Sequence, residues 1–346
     1  MATLYSGIKE IGLHVKFLPL LIVCLLLSAT CIAERFFVSP TGTSVASGSS
    51  WAEALDISTA LKRASAGDEV WVLKGHYLLG TDADRTISFV IPGGVKVYGS
   101  FNGTENKIDD RTQEAVSVLS GEIGNKDFSA DNAYTVVTMM SDADDFSILD
   151  GFVVTAGASR NFLEGLTEGN AGGGLYIMAG KKFANHMIVN CTFKNNKAHN
   201  GGAVMVDSGR PSFLNCTFVN NRADFNGGAV YNNGIASEAS PIFRDCVFAD
   251  NSSNSGAGMT NNGTNGSSTP LLLHCEFINN TSLMNGAAIY NITNDSGEAE
   301  PIIEGCEFTG NDSILGDDIS GMGSTKSVVS EQRRPVQGQS LRPVRR

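Results

Sequence analysis

The amino-acid sequence predicts an all-β fold: a right-handed, single-stranded parallel β-helix, a solenoid, capped at its N-terminal end by one amphipathic helix. Three observations carry that prediction. A cysteine recurs as Cys191, Cys216, Cys246, Cys275 and Cys306, at intervals of 25 to 31 residues. An apolar residue stands three positions before each cysteine and a phenylalanine two after it, as in Phe213, Cys216 and Phe218. Further on, Asn196, Asn221, Asn251, Asn280 or Asn311 follows, and in most repeats a box of small residues comes next: "GGAV" at Gly201 and Gly227, "GAGM" at Gly256, "GAAI" at Gly286.

Side chains alternate faces along a strand, so each cysteine shares a face with the phenylalanine two positions on. The interval of three before the cysteine breaks that alternation. Asn, Asp or Gly just before it suits the left-handed backbone of a sharp bend. One strand ends there and a second begins; the asparagine marks another corner, and the box opens a third strand. Three strands in 25 to 31 residues make one coil of a β-helix, with equivalent residues stacked about 4.8 Å apart. The cysteine and asparagine columns then read as structural ladders, thiols buried as small hydrophobes and amides bonding from coil to coil. Some eight coils would span about 40 Å. Leucine-rich repeats share the period, but their leucines are absent.

Taken in order, residues 1–33 read as an export signal: Lys9 and Lys16, the apolar run "FLPLLIVCLLL" from Phe17, and "CIA" for cleavage after Ala33. The run is short for a membrane span; an uncleaved anchor and a lipid attached at Cys31 are the alternatives. The β-helix domain is assigned to 34–320, with the cap over about 34–80 and repeats over about 86–320. In the cap, Ser49 or Ser50 starts a helix running to about Ala64, Gly67 stops it, and "EVWVL" supplies the first strand. Two early coils are aligned with glycine in the cysteine slot, Gly121 in "VLSGEI" and Gly151 in "ILDGFVV". Residues 158–170 are the excess between Gly151 and Cys191, an extruded loop that is either functional or a disposable insertion. The box at Gly316 weakens to "GDDI", and 321–346 read as a disordered basic tail.

The formal net charge is −11, but from Lys326 onward six Lys or Arg face one Glu, so the remainder carries about −16. Such an acidic body excludes nucleic acid as the main partner. The repeat cysteines lie one per coil without a C-x-x-C pair, so no metal site and no cofactor are expected.

The candidate binding residues come from the strands after the boxes. Tyr176, Tyr231 and Tyr290 share a column, with Asn232, Asn261 and Asn291 beside it and the polar stretches "NNGIASEAS", "NNGTNGSST" and "NITNDSGEAE" around and after them. Facing outward, the column would set aromatic platforms beside amide donors, a sugar-binding surface; facing inward, the tyrosines would be core. Arg160 and Glu164 of the extruded loop are further candidates. His14, His76, His186, His199 and His274 have no nucleophile partner in sequence and read as structural. Lys194 is the only basic residue of its outward column. Asp109, Asp110, Arg111, Asp144 and Asp145 read as turn residues.

The F-x-x-N and G-G-A-[ILV] pair resembles the repeat of chlamydial polymorphic outer-membrane proteins. The opening "FFVSPTGTSVASGSSWAEAL", with "AGDEVWVLKGHY" and "GSFNGTE", is similar to secreted bacterial proteins of the pectin-lyase-like β-helix class. The resemblance covers roughly residues 35 to 320. It implies a secreted or bacterial cell-surface (outer-membrane) protein, and three functions follow as expectations. The leading one is a non-catalytic, adhesin-like module, monomeric and without a membrane span in the mature chain, that binds a polysaccharide or host-surface glycan. The second is a polysaccharide lyase or other carbohydrate-active enzyme, which would use calcium and a Lys or Arg base beside a uronate carboxylate. The third is a structural spacer. The paired aspartates and arginine of typical pectate lyases and polygalacturonases are not recognisable here, which places binding first.

Overall fold

The computed structural model describes residues 33–80, 84–112, 115–125, 128–141, 146–159, 171–179, 185–294, 296–321 and 326–327. The expected signal segment with Cys31, the loop residues Arg160 and Glu164, Asp144 and Asp145, and most of the tail lie outside these residues. Over the described residues the chain winds as a parallel β-helix, each full coil adding one strand to each of four sheets. One coil runs through Ser212–Leu214 in the first sheet, Thr217–Val219 in the second, Arg222–Asn226 in the third and Val230–Asn233 in the fourth. It re-enters the first sheet at Ile242–Arg244, with Ser212 opposite Ile242.

The repeat pattern predicts three strands per coil, and the structure has four. The extra one is the third-sheet strand, "KAHN", "RADFN", "SSNS" or "TSLMN". Its inward residues are small, Ala198, Ala223, Ser253 and Ser282, so it shows no alternation of large apolar and polar residues.

Two left-handed residues bracket the second-sheet strand in four successive coils: Asn190 and Asn195, Asn215 and Asn220, Asp245 and Asp250, His274 and Asn279, all with φ between 52° and 56°. The second bend therefore falls one residue before the buried ladder asparagine. Inside, Phe193, Phe218, Phe248, Phe277 and Phe308 stack with ring centroids 4.5 to 5.3 Å apart. Phe213 and Phe243 stack in the neighbouring inward column at 4.7 Å. Such ring pairs add about 0.5–1.5 kcal/mol each beyond the apolar area they bury. Asn196, Asn221, Asn251, Asn280 and Asn311 form a continuous side-chain ladder at 2.9 to 3.1 Å. Each also donates to a main-chain carbonyl of the coil before it, as Asn221 does to Phe193 at 3.0 Å. Burial without a partner would cost each amide about 1–3 kcal/mol, so the ladder answers a requirement of the interior.

Two early alignments are corrected by the register. Phe152 takes the cysteine column and Gly151 the bend before it, because Val153 pairs with Thr192. Ser117, opposite Phe152, takes that column one coil earlier, so Gly121 stands four residues beyond it. The cap also differs in detail. Trp51–Glu53 form a 3-10 turn and the α-helix α1 spans only Ile57–Arg63. The break falls where Leu55 gives its backbone N–H to Phe37 and its carbonyl to Ser39, after which Asp56 caps α1 by accepting from Thr59 at 2.9 Å. Arg35–Val38, not "EVWVL", is the first strand, paired with Glu69–Val72. At the other end Lys326–Ser327 pair with Ile302–Ile303, so the first sheet continues past residue 320.

Candidate functional site

The fourth sheet turns a face of tyrosines and polar groups outward. Its strands follow the small-residue boxes, and the box glycine is required at Gly227: φ is +65°, and a Cβ would collide with the Val230 carbonyl. The chain then enters Val230–Asn233 with Val230 inward and Tyr231 outward. In register with Tyr231 lie Thr138, Tyr176 and Met205 on one side, Thr260 and Tyr290 on the other. The next outward column holds Met140, Met178, Asp207, Asn233 and Asn262.

These two columns are tied diagonally. The Tyr176 hydroxyl donates to Asp207 at 2.8 Å, and Asn233 donates to the other Asp207 oxygen at 2.7 Å. Asn262 donates to the Tyr231 hydroxyl at 2.8 Å. Tyr231 is only 6 % exposed, packed with Ala171 and Met205, and burial raises its phenol pKa. Tyr176 and Tyr290 remain half-exposed. At the N-terminal end the face deepens into a groove of about 980 Å3 between α1 and the sheet, with Leu61, Tyr134, Thr138, Met140, Tyr176 and Met178 among its lining residues. Arg85 stacks over Tyr134 at 4.2 Å and donates to the carbonyls of Asn132 and Ala158, both at 2.7 Å, which fixes the ring.

Of the amides expected beside the tyrosines, Asn232, Asn261 and Asn291 are not on this face. They are fully buried in an inward column and bond to one another at 2.8 and 2.9 Å. Each follows an outward tyrosine or threonine by one residue, and the period of two puts it inside. Asp207 and Tyr134 are outward groups that the sequence reading missed, and Asn233 and the buried Asn262, present in its polar stretches, were not singled out; a count of two from Tyr231 would have found Asn233.

The cysteine column is inward, and Cys191, Cys216, Cys246 and Cys275 are buried free thiols, with Cys306 half-buried. Burial pushes the Cys191 thiol up to about 12, and its S–H donates to the Val189 carbonyl at 3.2 Å. Arg111 and Asp110, named in the sequence, are tied into the scaffold, whereas Lys194 is exposed. Arg111 pairs with Asp150 at 2.7 Å and closes a small outer cluster of Trp71, Tyr98 and Phe101. Asp110 accepts from the Lys107 backbone in a turn. Lys194 lies between Thr155 and Val219. His186 is buried, and desolvation lowers its pKa to about 4. Among the described residues, no three His, Cys, Asp or Glu side chains stand close enough to hold a metal ion.

Similar solved structures include pectate lyase Pel9A, at 14 % identity over 86 % of this chain and 78 % of that one, with a TM-score of 0.48. Escherichia coli YbhC matches at 11 % identity over 90 % and 79 %, TM-score 0.40. A pectin methylesterase in complex with a hexasaccharide matches at 11 % over 77 % and 75 %, TM-score 0.38. No curated protein sequence matches the chain. The family described as the right handed beta helix region matches residues 84–311. With two thirds of its length inside that match, this chain belongs to the right-handed β-helix family.

Proposed function

We propose that this protein is an exported, non-catalytic glycan-binding module that acts at a cell surface, with the outer face of the fourth sheet as its binding surface. The observation that carries the reading is half-exposed Tyr176 in the outward column, with its hydroxyl anchored. Asp207 holds Tyr176 from the next coil, so the ring is pre-organised beside polar groups. Aromatic faces beside fixed donors and acceptors are what a sugar ring, apolar on its C–H face and polar at its rim, can use. The groove at Tyr134 and Tyr176 continues that surface. The structural employment of Arg111 and Asp110 supports binding over turnover. Export is supported by the sequence pattern of residues 1–33, and deep burial would protect the thiol ladder in an oxidising compartment.

The test is a panel of neutral and uronate-rich polysaccharides, scored with the mature protein for retention and for new reducing or unsaturated ends, with and without calcium. Retention without new ends is the expected outcome. Unsaturated ends on any polymer would replace this reading by a polysaccharide lyase, and absence of retention throughout would leave a spacer.

A further inference from the structure

The third sheet carries a second site, created by alternating strand lengths. Arg222–Asn226 and Thr281–Asn285 have five residues, whereas Ser252–Ser255 between them has four. The ladder holds at both ends, Arg222 opposite Ser252 and Asn226 opposite Ser255, then Ser252 opposite Thr281 and Ser255 opposite Asn285. The extra residue of each long strand must therefore leave the ladder as a bulge, and bulges re-aim side chains. Phe225 emerges from one, 42 % exposed, and Leu283 and Met284 from the other, 59 % and 52 % exposed. Between the bulges the short strand recedes. What remains is a notch of about 160 Å3 lined by Arg222, Asp224, Ser252, Asn254, Thr281 and Leu283, among others.

We propose that this notch binds one uncharged hexopyranose unit of a glycan. The site is separate from the fourth-sheet face. Its volume lies well below the roughly 300–1,000 Å3 of pockets for drug-sized ligands, on the scale of a single sugar ring. Leu283 supplies apolar surface for the C–H face of the ring. Arg222 donates, Asp224 accepts, and Ser252, Asn254 and Thr281 do both, which matches a rim of hydroxyls.

Charge selects the neutral class. Arg222 and Asp224 approach to 3.9 Å, so the notch presents no net charge to attract a carboxylate. The body around it is acidic, and a polyuronate would meet that repulsion within the Debye length of about 8–10 Å.

Saturation-transfer NMR on the full chain tests this, with methyl glucopyranoside, methyl galactopyranoside, methyl mannopyranoside and galacturonate as probes. Transfer to at least one neutral pyranoside is expected to persist in Tyr176→Ala, which removes the fourth-sheet contribution. It should fall at least fivefold when Asn254→Trp, which fills the notch from an outward position, is added to that background. Ser252→Tyr serves as a second filling variant should Asn254→Trp lose its native melting transition. Three results overturn the proposal: no transfer to any neutral probe, transfer that survives filling the notch, or stronger transfer to galacturonate. A signal lost in Tyr176→Ala but kept in Asn254→Trp would count for the fourth-sheet surface and against this one.

Discussion

The side-chain amide of Asn251 donates to Oδ1 of Asn280 and to the Phe218 carbonyl, both at 2.9 Å, while its own Oδ1 accepts from the backbone and the side chain of Asn221. Replacing it with leucine keeps the volume but leaves the buried Asn221 backbone N–H without its acceptor. It also removes one bond from each of the other partners, Asn280 Oδ1 keeping only the Asn251 backbone N–H. Asn251→Leu is expected to cost about 3 kcal/mol, since each orphaned buried group costs roughly 1–3. Asn311→Leu, at the half-exposed end of the ladder, should cost about 1. Denaturant midpoints measure both; equal losses would show that burial is not what makes the ladder matter.

His186 gives the fold an acid-sensitive point. It occupies the slot before the first-sheet strand that later coils fill with Pro211, Pro241, Pro270 and Pro301, and neither ring nitrogen has a partner. Its folded pKa is lowered to about 4 from 6.5, so the unfolded chain takes up the proton first. The stability is present above about pH 6.5 and drains away as pH falls toward 4, roughly 3.5 kcal/mol at about 1.4 per unit. His186→Pro should flatten this part of the stability profile. An unchanged slope in the variant would assign the acid sensitivity elsewhere.

The thiol ladder should be graded in reactivity. Although its hydrogen bond with Cys275 and burial raise its thiol pKa, Cys306 is the half-buried, accessible member, so iodoacetamide at alkaline pH should label it first. Cys191, Cys216, Cys246 and Cys275 should label at under about a tenth of that rate until denaturant is added. Peptide mapping reads each site separately. Prompt labelling of Cys216 or Cys246 in the native protein would contradict their placement.

Arg111→Met should destabilise the fold by about 2–3 kcal/mol, because Asp150 keeps its charge and loses its closest partner in a largely desolvated place. Glycan retention by the folded variant should be unchanged. Loss of retention at unchanged stability would move Arg111 from scaffold to site.

On the fourth sheet, Tyr176→Ala should reduce retention on the bound polysaccharide about five- to tenfold, near 1–1.4 kcal/mol. Tyr231→Phe should leave retention alone and cost about 1 kcal/mol of stability, since only its bond to Asn262 is lost. Affinity electrophoresis and thermal melts separate the two effects. The reverse pattern would place the contact surface at Tyr231.

The inner columns were legible because they repeat: Phe218 and Asn221 each have counterparts in the coils on either side. Register was legible only while cysteine marked it. Where Ser117 and Phe152 take that slot, glycine misled the alignment by four residues and by one. The fourth-sheet faces were ambiguous because Val230 and Tyr231 are both buried and apolar, so neighbouring residues do not declare which is inside. The notch was illegible for a different reason. No residue in "RADFN" or "SSNS" announces it; it follows from one strand being a residue longer than the next while both keep the same ladder ends.

From each cysteine to its asparagine the count is five in every coil, yet coils differ in length by up to six residues. The slack is taken up in the third sheet and in the turns before Pro211, Pro241, Pro270 and Pro301. The chain therefore has separate accounts for gauge and for cargo. A peptide grafted at Phe225 or Met284 should be carried without disturbing the wall, whereas one added residue between Cys216 and Asn221 should throw every later coil out of step. Lineages of this fold would then diversify by lengthening those two places, and an engineer wishing to display a sequence along such a wall would start there.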